Sequence, residues 1–294
     1  MSRSGDKGAL TGQVDETPTV PAPCAPTAEP RLQRAVGVGR LQVHQVGGGA
    51  RIRRLFQEGA SRIRVTASAA GQPLDAVLIN TAGGLAGGDT FDWQVDAEAG
   101  ANCTVITQAC EKVYRSTGPS AEINVRLTVG AGARLYWLPQ ETILFNGARL
   151  NRIFNVELDL GAKLLAMEAV VLGRRAMGER LHSARLRDQW RLRRCGRLIF
   201  ADNLTLDGDV DARTSRIAVL GGAGAFTSLF YAADDAEAHV DAVRLAVGSS
   251  GGASAFGGKL ICRAVAADGV ALRGILFRVL EVLRQAPLPR LWTV

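Results

Sequence analysis

The chain has 294 residues, a formal net charge of +7, 47% hydrophobic residues and 5% aromatic residues, enough for one large domain with a core or for two small ones. No apolar run approaches the ~20 residues of a membrane helix, and none follows the first charges as in a signal peptide. Five cysteines without CxxC spacing argue against a zinc ribbon and against a secreted disulfide framework, so the expectation is a soluble, cytoplasmic protein with free thiols, most of them buried.

Residues 1–30 carry Pro18, Pro21, Pro23, Pro26 and Pro30 without apolar periodicity. Such a segment cannot bury enough surface to offset its ordering entropy, which predicts a disordered Pro/Ala-rich tail. Residues 31–294 then read as a single domain, a β body to about 230 followed by an α–β–α part over about 231–294. The body begins with a basic stretch from Arg31 to Arg64. Next comes GGLAGGDT at 83–90, which has the spacing of a phosphate-binding loop but puts Asp89 where the lysine belongs. An aspartate there repels phosphate, and FDWQV continues as a strand where such a loop must open a helix. The glycines therefore predict a tight β turn that presents one carboxylate.

From there the period is two. Phe91, Trp93 and Val95 alternate with polar residues, as do Ile123, Val125, Leu127 and Val129, and then Phe154, Val156, Leu158 and Leu160. Three segments repeat the order strand, Gly-Ala turn, strand, with the pairs at 100, 132 and 161. Units that cannot bury their own faces suggest a mainly β fold of stacked, solenoid-like coils, although a two-sheet sandwich gives much the same pattern. Asn146-Gly147 marks a tight hairpin turn between ETILF and ARLNRIF. Residues 174–197 hold nine Lys/Arg against two Asp/Glu. Within them Leu186, Trp190 and Leu192 share one strand face, and Arg185, Arg187, Arg191 and Arg193 share the solvated one. Two helices close the chain. The first spans 234–247, capped by Asp234 and stopped by Gly248; the second spans 269–286, with Leu272, Leu276, Val279, Leu280 and Leu283 on one stripe. Between them lie a Gly/Ser-rich loop at 248–258 and the strand KLICRAVA.

Groups that carry chemistry are sparse. The three histidines (44, 182 and 239) are far apart and form no metal-binding spacing, and GxSxG is missing. Carboxylates recur near strand ends at Asp89, Glu111, Glu141, Glu168, Glu179 and Asp202, but no spacing singles out a hydrolytic pair. These residues alone leave a β-rich binding or assembly protein, with nucleic-acid or glycan binding as the alternative.

Several motifs in fixed order go further. NTAGGLAGGD (80–89), KVYRS (112–116), WLPQETILFNGA (137–148), MEAVVLGRRAMGE (167–179), WRLRRCGRLIFADNL (190–204) and PRLW (289–292) together resemble the urease accessory protein UreD (UreH) family. Two departures are visible. The family often has Asn-Pro-Gly-Gly-Gly where this chain has Asn80-Thr81-Ala82-Gly83-Gly84, and Trp where Met167 stands. The resemblance implies a non-enzymatic β-solenoid-like scaffold with two helices. It also implies the partners UreF, UreG (a GTPase, reached through UreF) and the urease structural subunits, with neither nucleic acid nor membrane engaged. No cofactor is held permanently in that role. Nickel passes transiently, and Asp89, Glu141, Glu168 and Glu179, which match acidic family positions, are the expected carboxylates of a Ni²⁺ route, as oxygen ligands release the ion more readily than thiolates.

Overall fold

The structure, a computed structural model, describes residues 33–66, 72–284 and 287–292. The predicted tail at 1–30 and Cys24 lie outside the described residues. Of the other cysteines, all free, Cys103 and Cys262 are buried, Cys110 is half-buried and Cys195 is exposed.

Four strands open the fold: β1 (Val36–Val46), β2 (Gly49–Gly59), β3 (Ser61–Thr66) and β4 (Leu74–Asn80). A coil follows, built from β5 (Thr90–Ala97), β6 (Asn102–Thr107), β7 (Glu111–Val113), β8 (Ala121–Val129), β9 (Arg134–Trp137), β10 (Thr142–Leu144), β11 (Arg149–Leu158), β12 (Lys163–Leu172) and β13 (Ala184–Arg194). In the coil β5, β8, β11 and β13 run parallel in one sheet, while β4, β6, β9 and β12 run parallel in the other. β7 and β10 extend the second sheet beside the last residues of β12. The chain then forms β14 (Arg197–Gly208), a short helix α1 (Val210–Thr214), β15 (Ala225–Ala232), α2 (Val240–Val247), β16 (Gly251–Ala255), β17 (Lys259–Ala266) and α3 (Gly269–Leu283). The first sheet has the order β14-β13-β11-β8-β5-β1-β2, and the second runs β16-β17-β15-β12-β9-β6-β4-β3. The parallel middle is thus flanked by antiparallel strands at both ends.

The Gly-Ala repeat makes the corners. Gly100, Gly132 and Gly161 have φ of 72°, 65° and 71°, the left-handed region where glycine carries no Cβ penalty. The following Ala101, Ala133 and Ala162 each close the same turn, donating to Glu98, Gly130 and Asp159 carbonyls at 2.9, 2.9 and 3.2 Å. Stacking continues between corners: Arg134 N–H donates to Ala101 O at 2.8 Å and Lys163 N–H to Ala133 O at 2.9 Å. Of the two readings of the period-two pattern, the stacked coil is therefore the one observed.

Inward-facing residues of the two sheets form one core, with Leu41, Val95, Leu127, Phe154 and Leu192 buried within it. A second core lies between the outer face of the larger sheet and the helices. Leu272, Ile275, Leu276, Val279, Leu280 and Leu283 of α3 face it, which is the predicted stripe with Ile275 added. Asp268 caps α3, accepting from Ala271 N at 2.8 Å. Among the described residues no helix is long and apolar enough to cross a membrane.

Some expectations change. Asn146-Gly147 does turn tightly, with Ala148 N donating to Phe145 O at 2.9 Å, but β10 and β11 lie in different sheets, so this is a coil corner and not a hairpin. Leu160 falls past the end of β11 and is exposed. Asp234 caps no helix. The first turn is a 3₁₀ segment from Ala236 to His239, and neighbouring Asp235 instead accepts the Tyr231 hydroxyl at 2.7 Å and Lys163 Nζ at 3.1 Å. Gly248 ends α2 with φ of 60°, as expected. The segment 248–258 holds strand β16, paired to β17. Small residues gave no side-chain pattern there, and the backbone alone makes the strand: a Cβ on Gly251 would lie 2.0 Å from Arg263 O.

A Cβ on Gly132 would meet nothing within 4 Å, so only its positive φ resists substitution. Gly132→Ala is expected to cost about 1–2 kcal/mol, and Gly132→Asn less, by urea denaturation. Equal effects would separate the corner's stability from its backbone conformation.

Candidate functional site

The turn after β4 is built around Asp89. Its carboxylate does not project outward as the glycine pattern suggested. It is 5% exposed and accepts the Ala35 N–H at 2.8 Å and the Ala86 N–H at 2.7 Å. Asn80 holds the other arm, accepting from Ala82 N at 2.9 Å and donating to Gly84 O and Glu111 Oε1, both at 3.1 Å. Gly84 is required by close approach, because a Cβ there would lie 2.4 Å from the Tyr114 ring.

Below this turn a cleft of about 450 Å³ reaches from exposed Gly83 past Cys110 to Glu111. A smaller cavity of about 50 Å³ continues between the sheets and shares Leu78, Trp93, Thr107 and Glu111 with it. Its far wall includes Thr142, Arg152 and Glu168. That volume is large enough for a few water molecules.

The inner end is a buried charge cluster. Arg152 stands at an inward position of β11, between Leu150 and Phe154, and is 2% exposed. Its guanidinium donates to Asp188 at 3.1 and 2.5 Å and also to Glu168, with Thr142 Oγ1 at 3.4 Å. Two indoles complete the set: Trp137 Nε1 donates to Glu168 Oε1 at 3.0 Å and Trp190 Nε1 to Asp188 Oδ1 at 3.2 Å. Burial opposes the Arg152 charge, but the two carboxylates outweigh it and hold the guanidinium protonated. Burial pushes Glu168 up to about 7 against the pull of Arg152, since one cation cannot fully compensate two buried carboxylates.

Glu111 sits where the cavities meet. Burial raises it to about 7, opposed by the Asn80 amide and reinforced by the nearby Asp89 charge. At neutral pH it is therefore divided between acid and carboxylate. Cys110 beside it donates to Glu141 Oε2 at 3.3 Å. Burial and the Glu141 charge raise this thiol to about 11, so it stays protonated.

Glu141, 3% exposed, faces the other way and is gripped by Arg273 of α3 at 3.0 and 2.6 Å. Burial pushes it up, but the Arg273 hydrogen bonds prevail and keep it below the usual carboxylate range. The terminal segment 287–292 packs against the same place. Trp292 Nε1 donates to Leu138 O at 2.9 Å, Gln140 Nε2 to Leu291 O at 3.0 Å, and the Arg273 guanidinium lies 5.5 Å from the Trp292 ring.

The four carboxylates singled out in the sequence are thus placed unequally. Glu168 lines the inner cavity, while Asp89 and Glu141 flank the cleft. Glu179 lies at a separate surface pocket, accepting Asn146 N at 3.1 Å, Arg174 N at 3.0 Å and Arg174 Nε at 2.9 Å. Arg174 lowers it to about 2. The sequence reading missed Glu111 as a junction, and missed Arg152, Asp188 and Arg273. Arg152 and Asp188 had a signal, since both are charged residues at inward parity in otherwise apolar alternation. Arg273 had none, because its partner is 132 residues away.

Comparison with known proteins agrees with the motif order. A family model described as the UreD urease accessory protein matches residues 35–293. The chain is 51% identical over 269 residues to the urease accessory protein UreD of Rhizobium leguminosarum bv. viciae, covering 91% of this chain and 98% of that one. It is 52% identical over 266 residues to UreD of Rhizobium etli (90% and 97%), and 45% identical over 273 residues to UreD of Agrobacterium fabrum (92% and 96%).

Two outcomes test the charge assignments. Arg152→Met leaves two buried carboxylates unpaired and is expected to lose about 3–5 kcal/mol of stability, much of it restored when Glu168→Gln and Asp188→Asn are added; no recovery would count against the cluster. Because Glu111 has a folded pKa above its ordinary value, its contribution to stability is fully present below about 4.5 and is lost as pH rises through about 7. Glu111→Gln should match the parent near pH 4.5 and exceed it by up to about 3 kcal/mol near pH 8; a constant difference across this range would refute the shift.

Proposed function

This chain belongs to the UreD urease accessory protein family, and on that footing we propose that it is a non-enzymatic cytoplasmic scaffold that matures urease by delivering nickel to the apo-enzyme. The scaffold binds the urease structural subunits and UreF, and UreF brings the nickel-carrying GTPase UreG. GTP chemistry then belongs to the partner, in keeping with a glycine turn whose carboxylate occupies the place of a phosphate-binding lysine.

The observation that carries the nickel reading is the pair of adjoining cavities that share Glu111, one opening at the Gly83 turn and the other lined by Glu168. A carboxylate near half-ionisation at neutral pH can take a hydrated Ni²⁺ and release it again. A thiolate would hold the ion, but Cys110 is kept protonated beside the path. Of the proposed route carboxylates, Glu168 offers oxygen at the inner end, whereas Asp89 and Glu141 brace the flanks, bonded to backbone amides and to Arg273. Glu179 braces the corner at Asn146 beyond the cavities. Nickel is cargo here and no cofactor remains bound.

Co-expression with the urease subunits, UreF and UreG tests both levels. The chain should co-purify with apo-urease, and retention of neither urease nor UreF would sink the scaffold reading. Glu111→Gln should keep that co-purification yet lower the nickel content of urease several-fold at limiting nickel. Full loading under those conditions would rule out the path while leaving the scaffold intact.

A further inference from the structure

The basic stretch at the start of the domain has no part in the interior path. It folds into β1, β2 and β3, and between Arg40 and Arg64 it carries six arginines against one acid, Glu58. β2 ends the first sheet and β3 ends the second at the same end of the coil. Among the described residues β2 pairs only with β1, and β3 only with β4.

β2 is an unusual edge. Residues 51–59 are exposed without interruption. Register with β1 sorts their faces. Leu55 and Ile52 lie opposite Leu41 and Val43, which point into the core, so they are core-facing yet each is 40% exposed. On the outer face Phe56, Arg54 and Arg51 lie opposite Arg40, Gln42 and His44. A bulge beside Gln42/Val43 leaves Arg53 out of register, and it pairs with Glu98 at 2.9 Å. Among the described residues no carboxylate pairs with Arg51, Arg54 or Arg64.

Proteins usually protect such an edge with proline, a bulge, charged side chains or a very short strand. β2 has a bulge at Arg53 and outward arginines, but it has no proline and is 11 residues long. Arg51, Arg54 and Glu58 sit on the outer face. The inner face carries Ile52 and Leu55, followed by Gln57, which accepts from Ile63 N at 2.8 Å, so its apolar part suits a strand added from outside.

We propose that the free edge of β2 is a docking site for an extended acidic segment of a partner protein. The segment joins the first sheet as an added strand. Alternate side chains of that strand are apolar and cover Ile52 and Leu55, and the residues between them are Asp or Glu beside Arg51 and Arg54. Backbone hydrogen bonds supply affinity, and the alternation supplies selectivity. The inference is independent of the nickel path.

The test uses the full chain and a labelled peptide of about ten residues alternating Glu and Val. The peptide is expected to bind, to weaken with added salt, and to slow hydrogen exchange of amides in 51–58. Arg51→Glu with Arg54→Glu, both exposed positions, should weaken binding at least about tenfold, with an unchanged circular dichroism spectrum confirming the fold. N-methylation of alternate peptide amides should abolish binding. The proposal is overturned if a control peptide alternating Lys and Val binds equally, if N-methylation has no effect, or if protection falls elsewhere. It is equally overturned if single-stranded DNA displaces the peptide, or if the chain dimerises through β2 so that its amides are protected without peptide.

Discussion

A parallel coil contains no hairpins to fix its register, so the stacking of equivalent corners has to set it. Here that task falls to the Gly-Ala turns at 100, 132 and 161, each closed by the same hydrogen bond. A one-residue slip at any corner would send a row of core side chains to solvent. The spacing between corners is 32 residues and then 29, and the difference is absorbed along the loop of each turn, so that Val105, Trp137 and Ala166 stay in line. Both antiparallel flanks depend on this alignment, because β1 takes its register from β5 and β15 from β12.

Correct register brings Arg152, Glu168 and Asp188 together from three strands in two sheets. An apolar cluster of the same volume would be at least as stable in most cores, because desolvating ions costs more than their attraction returns unless every lone pair is met. Nearly every polar atom of this cluster is met, with both indole N–H groups recruited. The arrangement keeps a charged, water-accessible wall in the middle of a core that is otherwise close-packed. Arg273 does the opposite at Glu141, tying that carboxylate down so that it stays ionised. The seam therefore contains two kinds of acid: Glu141, held below the usual carboxylate range by Arg273, and Glu111 and Glu168, which burial raises to about 7.

The fold was legible wherever one face of a strand is apolar and the other polar. Period two located the coil strands, and five of the six buried residues of α3 stood on the helical stripe, Ile275 being the exception. It failed where side chains carry no pattern. β16 is made of Gly, Ala and Ser and is held by backbone pairing, and the Asn146-Gly147 corner looks like a hairpin because a turn residue reports a bend without saying which sheet receives the chain. The site was legible in its acids but not in their company. Asp89 looked like a displayed carboxylate until the Ala35 and Ala86 amides were placed around it. Arg152 and Asp188 stood in plain alternation with core residues, and their charge was the clue.

Trp292 and Leu291 close the groove beside Gln140 and Leu138, some 150 residues earlier in the chain. That distance matters on the ribosome. The coils can stack as they emerge, since each contacts the one before, but the middle of the larger sheet stays uncovered until α3 and the last turn have been made. Contacts of such long sequence separation form late and slowly. Tyr136, Leu138, Leu165 and Met167 share their core with α3 and Trp292, so without those elements this face of the sheet would lack its cover. The newly made chain is then most prone to stray association, and a binding partner present at that moment would meet a different surface from the one the finished protein displays.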